Sequence, residues 1–472
     1  MKTEGKHGRF GRRMILAGLL SLCCTPFAWS ALPHYELAYR LSGTGGMMLK
    51  DDKVDQWINR PVLGGEFAVE FLPTGRWHCL QQWNNASIGV GASYLNLGND
   101  KMLGSAIAAY GYINMPFYNG KHFRIGARPT VGLAAVTKTY ANTLPEGYNR
   151  YEVARDASGK LLSNWSIGSI LNAYLALELY MDFPIKDGWE ITLNGGWRHI
   201  SNGSVMHPNG GYNMAMAALG VRYHPQSNQS IRSTPTNPIN PTNPTNPTNL
   251  TDTIRVYKAP KPDVPRKLYD GVDKPWAVEI SATGAVKQNY YRDNYPKMQF
   301  FGAASVKAAA YWVPVSIFRL GAGVDAFYDD YYRCVSKDYA DANPGAPVTY
   351  FGKTYLKESN VKNCFRVGIS VQPEFIIGRL TAGLHVGFYV FDPVKNLEPY
   401  AEAKAADQAG NPLNRGVFYS YDFSKASNYQ DGWCYMQFVM KYHVLDHLFV
   451  QLGLKTHGVR AEFIDAGLGV AF

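Results

Sequence analysis

The stretch Trp189-Glu-Ile-Thr-Leu-Asn-Gly-Gly-Trp-Arg-His-Ile-Ser201 alternates apolar and polar side chains. Side chains of one parity point to one face of an extended chain, and those of the other parity point to the opposite face. The apolar face carries Ile191, Leu193 and Trp197, and the polar face carries Glu190, Thr192, Asn194 and Arg198. This pattern is typical of a strand that crosses a membrane in a closed barrel, with lipid outside and a polar interior.

The same two-residue period recurs along most of the chain in segments of roughly ten residues. We predict a first series of strands near 34–42, 62–72, 87–97, 102–117, 121–136, 166–183, 188–201 and 211–224, and a second near 276–288, 298–313, 315–328, 362–377, 379–391, 433–444, 446–457 and 459–472. High counts of Tyr (32), Phe (22) and Gly (46), with 18% charged residues, suit transmembrane strands with aromatic girdles. The predicted fold is an all-β, transmembrane antiparallel β-barrel with about sixteen strands in two halves of eight, as one large or two small barrels.

The two ends of the chain predict export. Five basic residues precede an apolar run from Met14 to Ala28 and the small residues Ser30 and Ala31, which predicts a signal peptide cleaved after Ser30 or Ala31. The last residues alternate on one face up to Phe472, as in the terminal strands of bacterial outer-membrane barrels. We therefore expect a multi-pass β-barrel in the cell outer membrane of a Gram-negative bacterium.

Removal of the signal lowers the formal charge from +10 to about +6. The remaining basic residues are dispersed and form no stripe of the kind that nucleic acid requires, so no nucleic-acid partner is expected. An anionic lipid headgroup is a better match.

A tract rich in Pro, Thr and Asn begins at Pro235 and separates the two series of strands. It lacks the apolar residues of a core and is predicted to be an extended, solvated spacer. The predicted domains are a signal peptide (1–30), a first barrel half (31–225), a linker (226–275) and a second barrel half (276–472). If the first strand starts in the periplasm, the linker is periplasmic and most long connections lie outside the cell, as is usual for such barrels.

Cys334 and Cys364 flank one of the long outer connections. In an oxidising compartment they could form a disulfide bond that staples the loop. The alternative is two unpaired thiols. No spacing of Cys and His suggests a zinc site.

The candidate chemistry lies between positions 199 and 213. His199 and Ser201 share the parity of the apolar row, and Asn213 on the next strand shares the parity of Ala215 and other apolar residues. All three are therefore predicted to face outward at the outer end of one hairpin, where polar groups need partners. A serine nucleophile, a histidine base and a third group that orients the imidazole would use this arrangement. The alternative is that they only occupy the interfacial belt, where polar residues are normal.

His199-Ile-Ser201-Asn202, followed by Pro208-Asn209 and Gly211, resembles the active-site hairpin of the PagL-type lipid A 3-O-deacylases. The remainder, including Leu454-Lys-Thr-His457, is similar to longer acyloxyacyl hydrolase-like outer-membrane proteins. The resemblance implies a barrel that cleaves an ester-linked acyl chain from lipid A through a Ser-His-Glu triad on its outer face.

By that resemblance Ser201 would be the nucleophile, His199 the general base, and Asn202 with the Gly203 amide the oxyanion hole. Asn213 stands where the family has its orienting Glu. In the serine-protease template, the corresponding change of acid to amide costs about 10⁴ in rate.

Two residues of the second half, Glu462 and His457, could also bear on this chemistry. Glu462, predicted to face outward by parity with Ile464, is an alternative acid if the two hairpins adjoin. His457 is predicted to face the lumen and to be structural.

The sequence thus predicts an outer-membrane esterase that acts on lipid A or lipopolysaccharide of the outer leaflet, without a cofactor or metal ion. The alternative is a non-catalytic outer-membrane barrel, a pore or a structural protein, derived from the same fold.

Overall fold

The chain folds into two closed antiparallel barrels of eight strands each in the computed structural model. The structure describes residues 36–50, 54–72, 78–148, 156–158, 160–225, 275–289, 299–332, 349–350, 353–354, 361–392, 434–458 and 460–472. Strands that follow one another in the chain are hydrogen-bonded neighbours in each barrel, and the last strand pairs with the first. The second alternative of the sequence prediction, two small barrels, is therefore confirmed.

The first barrel consists of β1 Glu36–Met48, β2 Val62–Leu72, β3 Ser87–Asn96, β4 Ser105–Asn119, β5 Arg124–Val136, β6 Leu171–Lys186, β7 Trp189–Ser201 and β8 Tyr212–Tyr223. The second consists of β9 Trp276–Asn289, β10 Gln299–Val315, β11 Phe318–Asp329, β14 Phe365–Ile377, β15 Leu380–Phe391, β16 Cys434–Leu445, β17 Leu448–His457 and β18 Arg460–Ala471. A small hairpin, β12 Thr349–Tyr350 with β13 Lys353–Thr354, lies outside both barrels. Short helices are α1 His78–Gln82 and α2 Tyr140–Thr143, with 3₁₀ turns at Asp55–Trp57 and Val361–Cys364.

All sixteen predicted barrel strands are present, whereas the β12–β13 hairpin was not predicted. The predicted signal peptide, the linker tract and Cys334 lie outside the described residues, so the domain boundaries and the disulfide stay predictions. Within the described ranges, no helix is both long and apolar enough to span a membrane.

Ion pairs fill the lumen of the first barrel at the end where β1 begins and β8 finishes, called the inner end here. Arg40 binds both Glu70 and Asp182 at 3.0 and 3.2 Å, and Arg222 bridges Glu70 and Glu190 at 2.6 and 2.8 Å. Each of these arginines is at most 3% exposed. Buried charges persist only when they are paired and hydrogen-bonded, and the network shows that this lumen is a packed core.

An apolar cluster lies toward the opposite end of the same lumen, the outer end, where β1 and β7 finish. One cluster of buried side chains there includes Met48, Leu95, Ile200, Tyr212 and Met214. Ile200 and Tyr212 face each other across β7 and β8, directly behind the outward-facing residues of the hairpin. Packed side chains of the lumen therefore lie directly behind the hairpin residues that face outward.

The second barrel has a similar ionic interior. Lys441 donates to Glu279 and Glu374, both at 2.7 Å, and Arg319 pairs with the same two carboxylates. All four side chains are at most 4% exposed.

Glu462 does not face outward, so its predicted orientation was wrong. Lys455 pairs with Phe463 and Thr456 pairs with Ala461, which leaves Glu462 as the extra residue of a β-bulge. The bulge reverses the alternation and turns the carboxylate into the lumen, where it binds Arg366 and Lys455.

The two barrels contact each other near both ends. At the inner end, Trp83 Nε1 donates to the Ile376 carbonyl at 3.1 Å, and its ring packs edge-on against Phe375. At the outer end, the connection between β7 and β8 contacts β9 and β18. This second contact lies beside the outer end of β7, where His199 and Ser201 are located.

Candidate active site

The outer end of β7 carries a row of outward side chains at every second position. Trp197 is 40% exposed on the outer surface, whereas Arg198 is buried in the lumen against Glu178. His199 and Ser201 continue the outward row of Trp197 beyond Arg198. Asn213 of β8 lies directly opposite His199 in the strand register, and opposite residues have Cβ atoms roughly 5 Å apart.

The structure brings together the three residues predicted for nucleophilic catalysis. His199 Nε2 lies 2.7 Å from Ser201 Oγ, and His199 Nδ1 lies 2.8 Å from Asn213 Oδ1. The imidazole thus bridges a hydroxyl and an amide oxygen. This is the geometry in which a histidine can accept a serine proton while a third group orients the ring.

A fourth residue, Trp197, joins this constellation. Its indole Nε1 donates to Asn213 Oδ1 at 3.2 Å. Its ring also stacks on the His199 imidazole, with 5.3 Å between the ring centroids and 18° between the planes. Sequence reasoning used Trp197 only as a marker of the outward face, although its parity with His199 was a sufficient signal that the two could touch.

Asn202 holds the connection that follows Ser201. Its side-chain amide donates to Ser169 Oγ at 2.8 Å and to the Met206 carbonyl at 2.7 Å, and its backbone N–H donates to Asn209 Oδ1 at 2.9 Å. These contacts give Asn202 a structural role in the loop. Its predicted part in an oxyanion hole, together with Gly203, stays a prediction.

Two glycines allow close packing around the site. Gly211 has φ +73°, and a Cβ there would lie 2.9 Å from His199 Cε1 and 3.1 Å from Ser201 Cβ. Gly203 has φ +59°, and a Cβ there would lie 2.3 Å from Ile464 Cγ1 of the second barrel. Both backbone conformations favour glycine.

The second barrel contacts the same loop through three hydrogen bonds. Ser204 Oγ donates to the Ala461 carbonyl at 2.8 Å. The backbone N–H of Gln288 donates to the Ser204 carbonyl at 2.9 Å, and Gln288 Oε1 accepts from the His207 backbone N–H at 2.9 Å. The β7–β8 loop is therefore held by Ser169 of the first barrel and by Gln288 and Ala461 of the second. Ser201, next to this loop, is only 7% exposed.

The structure separates the remaining candidates from this site. Glu462 is paired inside the second barrel and does not join His199. His457 also faces that lumen, as predicted, with Nε2 2.9 Å from Tyr389 Oη. Among the described residues, no group of three or more His, Cys, Asp and Glu side chains could hold a metal ion.

Two family models match the chain. One, described as lipid A 3-O-deacylase (PagL), matches residues 56–222, and the other, described as the C-terminal domain of acyloxyacyl hydrolase, matches residues 276–402 and 414–472. The chain belongs to the PagL-type lipid A 3-O-deacylase and acyloxyacyl hydrolase-like family. The resemblance predicted from the hairpin is confirmed, and the two models follow the order of the two barrels.

Among solved structures, this PagL-type chain is similar to the outer membrane enzyme PagL, with 14% identity, a TM-score of 0.24, and coverage of 39% of this chain and 98% of that one. It is also similar to Neisserial surface protein A, with 11% identity, a TM-score of 0.23, and coverage of 40% and 96%. No curated protein sequence matches the chain significantly. The family assignment rests on the two family models.

Proposed function

We propose that this protein is an outer-membrane esterase that removes an ester-linked acyl chain from lipid A, with Ser201 as the nucleophile and His199 as the base. The observation that supports the proposal most directly is the continuous hydrogen-bonded chain from Ser201 through His199 to Asn213. Membership of a family described as lipid A 3-O-deacylase supports the choice of substrate.

The depth of the site suits such a substrate. β7 has 13 residues, which corresponds to about 40 Å along the strand and about 30 Å along the membrane normal at the usual tilt. A hydrocarbon core is also about 30 Å thick. With Trp189 at one interface, Ser201 lies at the other, where the acyl esters of an outer-leaflet lipid are found.

The surroundings of Ser201 also suit an acyl chain. Ala173 of β6, a small residue, lies opposite Ser201, and Leu177 lies opposite Trp197. Leu177 and Leu179 are both more than half exposed on the outer face. An acyl chain can therefore extend from the serine along the apolar surface of the barrel and remain in the hydrocarbon layer.

The proposed reaction has two steps. Ser201 Oγ attacks the ester carbonyl carbon while its proton passes to His199 Nε2, and the tetrahedral oxyanion accepts a hydrogen bond from the Gly203 amide. The ester C–O bond then breaks, and the His199 proton passes to the departing sugar oxygen, which leaves as a hydroxyl. In the second step water, deprotonated by His199, attacks the acyl carbonyl carbon. The bond from that carbon to Ser201 Oγ breaks, the His199 proton returns to Oγ, and the fatty acid is released.

The alternative of a pore finds no support in the described lumens. An eight-stranded barrel is just wide enough for side chains to fill its interior. Paired arginines and carboxylates occupy both interiors, including Arg40, Arg222 and Arg319. The second alternative to an esterase is a structural barrel without activity, and the experiment below distinguishes the two.

The test uses the full chain assembled in outer membranes, with mass spectrometry of lipid A as the readout. Wild-type protein is expected to release one acyl chain, and Ser201→Ala and His199→Ala are each expected to abolish release. Both variants should retain the altered gel mobility of folded barrels without heating, because neither side chain packs a core. Unchanged lipid A in cells that hold abundant folded wild-type protein would favour the structural barrel.

A further inference from the structure

We infer that Trp197 is a positioning residue that makes an asparagine workable as the third member of the site. The inference rests on the proposed function and adds a residue to it. Its basis is that Asn213 Oδ1 lies 2.8 Å from His199 Nδ1 and 3.2 Å from Trp197 Nε1.

An asparagine in this position carries a risk that a carboxylate does not. A carboxylate presents acceptor oxygens only, whereas an amide presents an oxygen or an NH₂ group, depending on which way it is turned. If the NH₂ group faced His199, Nδ1 would have to accept, and the ring proton would move to Nε2. Nε2 could then no longer take the Ser201 proton. This wrong tautomer accounts for the loss of activity in serine proteases with the same substitution.

Trp197 selects the productive orientation. An indole N–H can only donate, so it requires an acceptor at the atom of Asn213 that it faces. The same atom faces His199 Nδ1, and a carbonyl oxygen has two lone pairs with which to accept from both. The oxygen at this point forces Nδ1 to carry the ring proton and leaves Nε2 as the acceptor for Ser201.

The surroundings strengthen this selection. Trp197 lies in the outward row of β7 next to Leu177, which is 58% exposed on the lipid-facing surface. A donor on the lipid side has little water with which to replace a lost acceptor. Turning the Asn213 amide would place two donors against each other there, which disfavours the turned state by a factor of about ten.

The test is a double-mutant cycle of Trp197→Phe and Asn213→Asp, measured as the rate of lipid A deacylation by purified protein in mixed micelles. Trp197→Phe keeps an aromatic ring beside His199 and removes the N–H donor together with one ring of the indole, and the cycle with Asn213→Asp separates the loss of the donor from the loss of packing. With Asn213 in place, the rate should fall at least about fivefold. In the Asn213→Asp background the same change should have less than about a twofold effect, because a carboxylate cannot turn a donor toward the imidazole.

Trp189→Phe is the matched control. Trp189 lies on the same strand and the same face, is 46% exposed and packs against the Tyr223 ring, but it is at the opposite end from the site. We expect its replacement to leave the rate unchanged in both backgrounds. An equal loss on Trp197→Phe with Asn213 and with Asn213→Asp would overturn the inference and reduce Trp197 to a packing residue.

A second readout does not depend on activity. Nitrogen-15 NMR of histidine-labelled protein, with the His199 signals assigned by their loss in His199→Ala, should show the proton on Nδ1 in wild type. In Trp197→Phe it should show a substantial population with the proton on Nε2. An unchanged tautomer in Trp197→Phe would refute the inference even if the wild type deacylates lipid A. The expected shift would uphold the positioning role even if the wild type proved inactive.

Discussion

Gly211 is a residue whose replacement would disturb the packing of His199 and Ser201 directly. Glycine adopts a φ of +73° at little energetic cost, whereas other residues are strained there. Because Gly211 has no Cβ, His199 Cε1 and Ser201 Cβ can lie close to its backbone. The imidazole therefore keeps its position partly because nothing extends from residue 211.

Gly211→Ala is expected to lower deacylation at least about tenfold while the barrel still assembles, because an added Cβ displaces the imidazole and small displacements of catalytic groups can cost as much as a hundredfold. Gly43→Ala is the matched control, since Gly43 lies on the outer face of β1 with nothing within 4 Å of its Cβ position. Rates measured on folded protein of both variants provide the comparison. Equal activity of the two would mean that the imidazole tolerates the displacement.

The alternation of residues was sufficient to predict that His199, Ser201 and Asn213 share one face. It could not predict the contact between Trp197 and Asn213, because parity gives the face of a side chain but not its rotamer. Asn202 shows the same limit. The motif suggests a chemical role, whereas only the folded loop shows that both side-chain N–H groups donate to Ser169 and Met206.

Strand β18 shows how one inserted residue changes the direction of the side chains in a strand. The bulge directs both Glu462 and Phe463 inward, and outward alternation resumes at Ile464. A β-bulge cannot be recognised from the alternation of apolar and polar residues, because the two residues of the bulge also fit the pattern of a regular strand. The strand itself was predictable, and the orientation of Glu462 was not.

Glu462→Ala is expected to destabilise the second barrel by about 3–5 kcal/mol, because Arg366 and Lys455 would remain buried without their common carboxylate. Glu146→Ala, a change at an exposed loop residue, should leave stability unchanged. Urea unfolding of detergent-refolded protein, followed by tryptophan fluorescence, measures the difference. A loss of deacylation without any loss of stability would restore Glu462 as a candidate acid and contradict the arrangement described above.

The sixteen strands were predictable for a physical reason. A strand that separates lipid from a packed polar lumen must alternate, and the thickness of the membrane sets its length. Neither constraint acts on the connections. The small β12–β13 hairpin and the two short helices therefore could not be read from the same pattern.

The second barrel completes the surroundings of a site that lies on the first. Gln288 contacts the β7–β8 loop through its backbone and its side chain, and Ile464 lies against Gly203. No pattern in the sequence predicts which faces of two barrels meet. The contact suggests why the β7–β8 hairpin, which carries the proposed active site, and the second barrel occur in one chain.

Gln288→Leu is expected to slow deacylation several-fold, because the His207 N–H loses the Gln288 acceptor at a partly buried position, at a cost of up to about 1–3 kcal/mol. Gln288→Glu keeps an acceptor oxygen and should stay close to wild type. Limited proteolysis of the 202–211 loop gives a readout that is independent of activity, with faster cleavage expected for the leucine variant. Identical behaviour of the two variants would show that the side-chain contact does not hold the loop.

The ion-paired lumen of the first barrel has a consequence for how a substrate arrives. Ser201 lies on the outward face of the barrel, and Arg40, Glu70 and Asp182 occupy the lumen. Under the proposed function, a lipid of the outer leaflet therefore reaches Ser201 by diffusing in the plane of the membrane. The quantity that governs turnover is then the number of lipid A molecules per unit area of the outer leaflet. The enzyme would respond to crowding in that leaflet and would be indifferent to the volume of medium around the cell.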